Sequence, residues 1–447
     1  MRHNETLDVD IAITEQVKQH SATVAAWSSV GLLSALYALA MMDRLVLAMI
    51  IQPIKDDFGI GDFQVGLLMG LAFALTYVVS GIPLGILADR TSRKHVIFAG
   101  VIVWSLATIS SSLAVGFLSL FILRMVVGLG EAALSPAAVP LISSAFPPER
   151  RAFPLSIYMG ASNVGSAVAA LSVGFLLQWS VQHVNNLGVF GITMRPWQFV
   201  LVCLGLPGLL LAPLVLFLRE PASLAPRQTA TLSSLGKFMA KNRRLFVPFF
   251  ITFAGSVTVN YAFSYWSAEY LIRSLNWSRA EAGALMGFLF FVPPLLSHLI
   301  SGVIIDYLSK RGVRDAALRL FLYMAFFSLP FSFLAYGAGG PTFSVVGLVA
   351  VAFLFYPSLS FGYITLQQVT PDALRGQMTG AFLSFVNFFG LAVGPSLVGY
   401  LAQYSFDGAN GLGTALAVIT SSGILIVCLS IVPCLRPLRE AAEAARN

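Results

Sequence analysis

The chain has 447 residues, 57% of them hydrophobic and only 11% charged, and its 27 Lys and Arg exceed its 20 Asp and Glu to give a net charge of +7. A soluble domain carries about 25% charged residues, so the composition excludes a soluble globular protein and points to a polytopic membrane protein. The basic excess is spread over the segments flanking the apolar runs, so topology accounts for it and nucleic acid is not expected as a partner.

Residues 1–25 contain Arg2, Glu5, Asp8, Asp10, Glu15 and Lys18 and no apolar core. They read as a polar, poorly ordered tail rather than a cleavable signal peptide. Twelve apolar spans follow at about 28–52, 62–87, 96–115, 118–145, 155–178, 197–218, 245–272, 280–305, 318–338, 343–368, 378–404 and 411–435, close to the roughly 20 residues that cross a bilayer as a helix. The expected fold is therefore all-α. The longest polar connection, 219–243, divides a six-helix bundle at 26–218 from a second at 244–436, and 437–447 forms a short tail.

The connections are strongly asymmetric in charge. Those after the second, fourth, sixth, eighth and tenth spans hold Arg90, Arg93, Lys94, Arg150, Arg151, Arg219, Arg227, Lys237, Lys241, Arg243, Arg244, Lys310, Arg311, Arg314 and Arg375. The opposite loops hold Lys55, Arg195, Arg273 and Arg279. The excess of basic loops on one side places them and both termini in the cytoplasm, and a bacterial inner membrane is the expected location. Cys203, Cys428 and Cys434 all lie in apolar segments, which gives neither a disulfide framework nor a metal-spaced cluster.

The two bundles repeat in sequence. Gly85-x-x-x-Asp89-Arg90-x-Ser92-Arg93-Lys94 aligns with Gly302-x-x-x-Asp306-x-x-Ser309-Lys310-Arg311. The run from Pro148 through Arg151 to Asn163 likewise matches Pro371 through Arg375 to Asn387. Two parallel copies imply two pseudo-equivalent bundles with a site between them near the midplane.

Four charged residues lie inside apolar spans: Asp43 and Arg44 in the first, Arg124 and Glu131 in the fourth. Each costs roughly 2.5–3.5 kcal/mol at a bilayer centre even on the gentler insertion scales, and such residues mark ion or substrate pathways. Arg124 and Glu131 are seven apart and share a helix face two turns apart. Arg124 is a fixed positive charge, able to hold an anionic headgroup or to partner a carboxylate. At Glu131 burial disfavours charge and a neighbouring cation favours it, a competition that suits a group titrating near neutrality. Asp43 offers a second such carboxylate, and Arg44 pairs either with Asp43 or with another helix. The competing reading of all four is a static ion-pair network that fixes helix packing.

The loop from Gly85 to Lys94 resembles the signature between the second and third helices of the major facilitator superfamily, with Ser92 where that superfamily usually has Gly. Arg124, Gly128 and Gly130 resemble its fourth-helix motif, with Glu131 where a small residue is usual. Asp43-Arg44, Gly66-Leu-Leu and Gly128-x-Gly130-Glu131-Ala are similar to the spinster-like branch of lipid transporters. The resemblance implies twelve helices in two bundles and a first and fourth helix that line a central cavity, so that Asp43, Arg124 and Glu131 form one cluster. It also implies an amphiphilic anionic substrate of the lysophospholipid or sphingoid phosphate type.

In the loop, Asp89 is expected either as a gate latch, pairing with Arg90, Arg93 and Lys94 and with the positive end of the eleventh helix, or as a topological anchor. Asp306 is the equivalent in the other half. The second bundle offers aromatic and amide cavity candidates, Asn260, Tyr261, Tyr265, Tyr356 and Asn387, alongside Asn163 in the first, and for each ordinary packing is the competing reading. Glu269 and Arg273 read as a solvated i,i+4 pair, and His298 as a hydrogen-bonded packing residue. Gly390-Leu-Ala-Val-Gly394-Pro395 reads as a close-packing or hinge segment.

No phosphate-binding Gly-Lys-Ser/Thr loop is present, so ATP drive is not expected. The five histidines are scattered without a nucleophile–base pairing, so an enzyme is not expected. The sequence therefore predicts a monomeric, proton-driven, alternating-access transporter with no cofactor beyond the coupling proton. A proton symporter of a small organic anion, a sugar acid or aromatic acid, is the alternative.

Overall fold

The computed structural model describes residues 2–147, 150–183, 188–189, 192–218, 220, 232–337, 340–371, 374–406, 408 and 410–444. Twelve helices are long and apolar enough to cross a membrane: α1 (Val24–Phe58), α2 (Asp62–Arg90), α3 (Arg93–Ser111), α4 (Phe117–Ala145), α5 (Phe153–Leu177), α6 (Pro196–Val215), α7 (Arg243–Leu275), α8 (Arg279–Lys310), α9 (Ala316–Gly337), α10 (Pro341–Val369), α11 (Arg375–Tyr404) and α12 (Gly411–Ala441). They coincide with the spans read from the sequence to within a few residues. A further short helix, Leu232–Lys241, precedes α7. The strands among the described residues are an antiparallel hairpin of two residues each, Gly188–Val189 with Ile192–Thr193, between α5 and α6.

One expectation is corrected at the start of the chain. The helix that contains α1 begins at Arg2, so the segment read as a poorly ordered tail continues the first helix. Residues 2–25 contain neither Gly nor Pro, so nothing in the local sequence interrupts a helix once α1 has nucleated it. Of the polar linker, residues 219 and 221–231 lie outside the described residues, as do Pro148, Glu149 and Asp372.

Several spans are broken where their sequence demands it. In α4 the helix Phe117–Glu131 gives way to Leu134–Ala145. Pro136 lacks an N–H and its ring crowds the carbonyl four residues back, at Ala132, where the break falls. In α10 the break falls at Tyr356-Pro357 between Pro341–Phe355 and Ser358–Val369: Tyr356 keeps helical angles and Pro357, at φ −74° and ψ 8°, leaves them, and Pro357 lacks the N–H that would bond the carbonyl four residues back. The α4 break leaves Glu131 as the last residue of its first segment. Two turns of π-helix, Leu67–Leu71 in α2 and Phe389–Val393 in α11, pack against each other.

Within the first half α1 packs on α5 and α6, and α3 on α4 and α6; within the second, α7 packs on α12 and α9 on α10 and α12. Among the described residues the halves pack most extensively through α5 with α8, α2 with α11 and α1 with α7. These crossings are tight at the end bearing the α1–α2, α7–α8 and α11–α12 connections. There a Cβ on Gly66 would collide with the backbone of Pro395 and Ser396, on Gly399 with that of Asp62, and on Gly283 with that of Ala170. At the opposite end the repeat-related Gly85 and Gly302 are uncrowded: a Cβ on Gly85 would touch Pro136 at 3.5 Å and one on Gly302 would meet nothing within 4 Å. Among the described residues, the close glycine crossings between the halves thus lie at one end, the clamped end, and not at the other, the unclamped end.

Candidate functional site

The four intramembrane charges meet as two ion pairs. Asp43 and Arg44 project from the middle of α1 toward α4. Arg44 Nε donates to Glu131 Oε2 at 2.6 Å, and Arg124 Nη1 donates to Asp43 Oδ2 at 3.2 Å. Thr108 on α3 donates through Oγ1 to the other carboxylate oxygen of Asp43 at 2.8 Å. All four charged residues are buried, Arg124 most deeply at 1% exposed and Arg44 least at 7%. Two cations and two anions leave the cluster neutral, the condition for keeping charge in a low-dielectric interior. Nε and Nη2 of Arg124 and Oε1 of Glu131 have no hydrogen-bond partner among the described residues.

Aromatic rings enclose the outer pair. The Arg44 guanidinium carbon lies 4.7 Å from the Phe73 ring centre and 4.5 Å from that of Tyr77, both on α2, within the range of a cation–π contact. Arg124 lies 5.9 Å from the same Phe73 ring. Tyr37 of α1 stacks on Tyr158 of α5 at 4.8 Å, and Tyr158 shares a hydrogen bond with Ser135 at 3.1 Å. The sequence reading missed Thr108, Phe73, Tyr77, Tyr37 and Tyr158. The spacing of Phe73 and Tyr77, four apart on one helix face, was the available signal.

The structure sorts the predicted cavity groups. Tyr265 is buried on α7 and packs beside Tyr261 at 5.9 Å. Asn163 and Asn387, equivalent in the repeat, are both half-buried. Asn163 also lines an apolar crevice of about 460 Å³ between α1, α5 and α8, with Ser34, Ala38, Ile157 and Phe291. Asn260 donates to Ser358 Oγ at 3.1 Å, and Tyr356 packs on Phe263 and Phe290; both side chains are half-buried. His298 Nδ1 lies 2.6 Å from the Pro294 carbonyl, one turn earlier, which is the packing role expected of it. Gly390 and Gly394 seat α11 against Val257, Thr258 and Tyr261 of α7, so that segment is a close-packing device.

At the unclamped end Asp89 is 69% exposed in its side chain and accepts from Arg93 Nη2 at 3.0 Å. Ser92 and the Arg93 amide both donate to Glu220, each at 2.6 Å, and Lys94 Nζ donates to the Leu216 carbonyl at 3.1 Å. The loop is thereby stapled to the end of α6, and Ser92, the departure from the usual Gly, supplies one of the staples. Arg90 is exposed, and so is Asp306 in the other half, which makes no ion pair among the described residues. The expected matching cluster is therefore absent there, and Arg311 stacks over Tyr307 at 4.4 Å instead.

One assignment is overturned. Glu269 and Arg273 are paired, with Nε to Oε1 at 2.6 Å, but the carboxylate is not solvated: the Glu269 side chain is 1% exposed and that of Arg273 24%. Arg273 reaches across to the first half and donates to both oxygens of Asp62 at 3.0 Å. The i,i+4 spacing predicted the pair but carried no information about the opposing half that buries it.

Comparison with known proteins decides the family. A family model described as Major Facilitator Superfamily matches residues 33–395. The chain belongs to the Major Facilitator Superfamily. Among its superfamily relatives is an MFS-type efflux pump of Mycolicibacterium smegmatis, 28% identical over 94% of this chain and 95% of that protein. A hexuronate transporter of Bacillus subtilis is 25% identical over 91% and 94%. Protein spinster homolog 1 of Homo sapiens is 31% identical over 55% of this chain and 46% of its own length, in support of the spinster-like branch. Among solved structures, a bacterial homolog of the human lysosomal transporter spinster, in an inward-facing and unoccupied conformation, superposes with a TM-score of 0.74 at 23% identity, covering 94% of this chain and 97% of that one. The protein is an integral, multi-pass membrane transporter of this superfamily.

Proposed function

We propose that the protein is a proton-coupled, alternating-access transporter of an amphiphilic anion of the lysophospholipid or sphingoid phosphate type. The observation that carries this reading is the pairing of Arg44 with Glu131 at 2.6 Å in a buried site. Arg44, the most accessible of the four charges, is held by one carboxylate and two aromatic faces. Protonation of Glu131 removes the carboxylate charge and leaves the guanidinium free to take an anionic headgroup. Arg124, held by Asp43 beneath it, keeps its charge at every physiological pH. Asp43 is the second proton-accepting carboxylate of the reading. The half-buried rings of Tyr77 and Tyr261 and the apolar crevice beside Asn163 suit a hydrocarbon tail.

The basic loops support a cytoplasmic position for the unclamped end, a reading in which the conformation is inward-open and both termini are cytoplasmic in a bacterial inner membrane. The alternative, symport of a small organic anion such as a sugar acid, draws on the hexuronate transporter, which matches over 91% of this chain. Arg44 then clamps the substrate carboxylate.

The test is proton movement in proteoliposomes on addition of lysophospholipids and of hexuronates in parallel. Proton flux that answers lysolipid and disappears in Glu131→Gln supports the lipid reading. Flux that answers only the sugar acid moves the assignment to the alternative.

A further inference from the structure

The clamped end holds a second charged network that the substrate site does not use. Arg273 of α7 is its centre: Nε donates to Glu269 one turn earlier at 2.6 Å, Nη1 to both oxygens of Asp62 on α2 at 3.0 Å, and Nη2 to Gln52 of α1 at 3.0 Å. Asp62 is also held by Lys55 of α1 at 2.5 Å. Glu269 is the most deeply enclosed member, and its Oε2 has no partner among the described residues. Around this network, Gln403 of α11 accepts from the Phe63 amide at 2.8 Å and Arg279 of α8 donates to the Met49 carbonyl at 3.1 Å. Each of these two bonds also joins one half of the molecule to the other.

The charges are distributed in an instructive way. The first half contributes Asp62 and Lys55, the second Glu269 and Arg273. Each half therefore carries its own neutral pair, and closing this end merges two neutral pairs into one network through a single guanidinium. When the halves separate, Arg273 keeps Glu269 on its own helix and Asp62 keeps Lys55. No charge is left alone in either state, so the contact holds the halves together without making separation prohibitive, unlike a single buried pair split across a moving interface.

We propose that Arg273, Asp62, Glu269 and Lys55 form the gate of the clamped end, a partner-exchange latch in which Asp62 and Glu269 share Arg273 when closed and each retain a private cation when open. This goes beyond the substrate reading and does not depend on what is carried. It assigns opposite roles to the two carboxylates. Asp62 is bonded across the interface only when closed, so neutralising it favours opening. Glu269 competes with Asp62 for Arg273 and is desolvated when closed, so neutralising it favours closure. Lys55 stabilises Asp62 most when Arg273 has left, so neutralising it also favours closure.

The test is a distance measurement between nitroxide labels at Val115→Cys and Ser405→Cys, both exposed in loops of this end, in full-length protein lacking its native cysteines and reconstituted in lipid. Asp62→Asn is expected to raise the long-distance population by roughly tenfold, within the usual range of conformational coupling. Glu269→Gln and Lys55→Gln are expected to lower it. Opening by all three variants would mean that the network is a packing element without partner exchange, and no change in Asp62→Asn would remove it as a gate. Should Glu269→Gln not fold, Lys55→Gln, at a less deeply enclosed position, alone retains the diagnostic sign, and opening in that variant overturns the proposal.

Discussion

Arg44 and Glu131, 87 residues apart in the chain, meet at 2.6 Å between α1 and α4, while their sequence neighbours in function, Asp43 and Arg124, form the second pair at 3.2 Å. The bonds run between helices rather than along them: adjacent residues of α1 select partners seven residues apart on α4. A change of charge at either carboxylate is therefore transmitted to the α1–α4 contact directly.

Glu131→Gln is expected to abolish the pH dependence of substrate-driven proton movement while the protein still inserts and folds, because the amide retains the shape and one acceptor oxygen for Arg44. Proteoliposome flux measured across a pH series checks this. Full retention of the wild-type profile would remove Glu131 from the coupling step.

Thr108→Val should lower stability by about 1.5–3 kcal/mol, the range for a hydrogen bond to a charged group, since Asp43 Oδ1 loses its donor at 2.8 Å. Thr108→Ser should restore most of the loss. Thermal unfolding of the two variants in the same detergent decides between this role and simple packing of the threonine methyl, which Val preserves.

Gly66→Ala should impair closure of the clamped end, because the added methyl meets the Pro395 and Ser396 backbone across the α2–α11 crossing. Gly302→Ala, in open space on α8, should be neutral or stabilising by up to about 1 kcal/mol from helix propensity. Label distances across the clamped end should lengthen in the first variant and stay unchanged in the second.

Asp89→Asn should leave the unfolding temperature nearly unchanged, since an exposed pair with Arg93 contributes only about 0–1 kcal/mol. If Asp89 acts as a latch when the opposite end is closed, the same variant should slow transport. A wild-type transport rate would reduce Asp89 to a topological anchor.

The paired glycine, aspartate and basic residues of the two loops were legible as a repeat, yet only the first copy forms its ion pair. Asp306 has the same spacing as Asp89, but Tyr307 replaces the arginine at the next position and draws Arg311 onto its ring. Glu269 and Arg273 were legible as an i,i+4 pair, and their burial was not, because the residues that cover them, Asp62 and Gln52, lie more than 200 positions away. Phe73 and Tyr77 were hidden among 35 Phe and 13 Tyr in a chain where aromatic residues are common at every depth.

Sequence alone determined the class, the number of spans, the division into two related halves and the identity of the four charges in the membrane. Each of these follows from hydrophobic run length, charge placement or local spacing, which the chain carries residue by residue. Tertiary structure decided which cation holds which carboxylate, which end of the molecule is clamped and which surface pair becomes a buried bridge. Those outcomes depend on how each helix is rotated about its axis and where it crosses its neighbours, and helix rotation is set by the packing of many side chains and glycines together rather than by the residues that carry the charge.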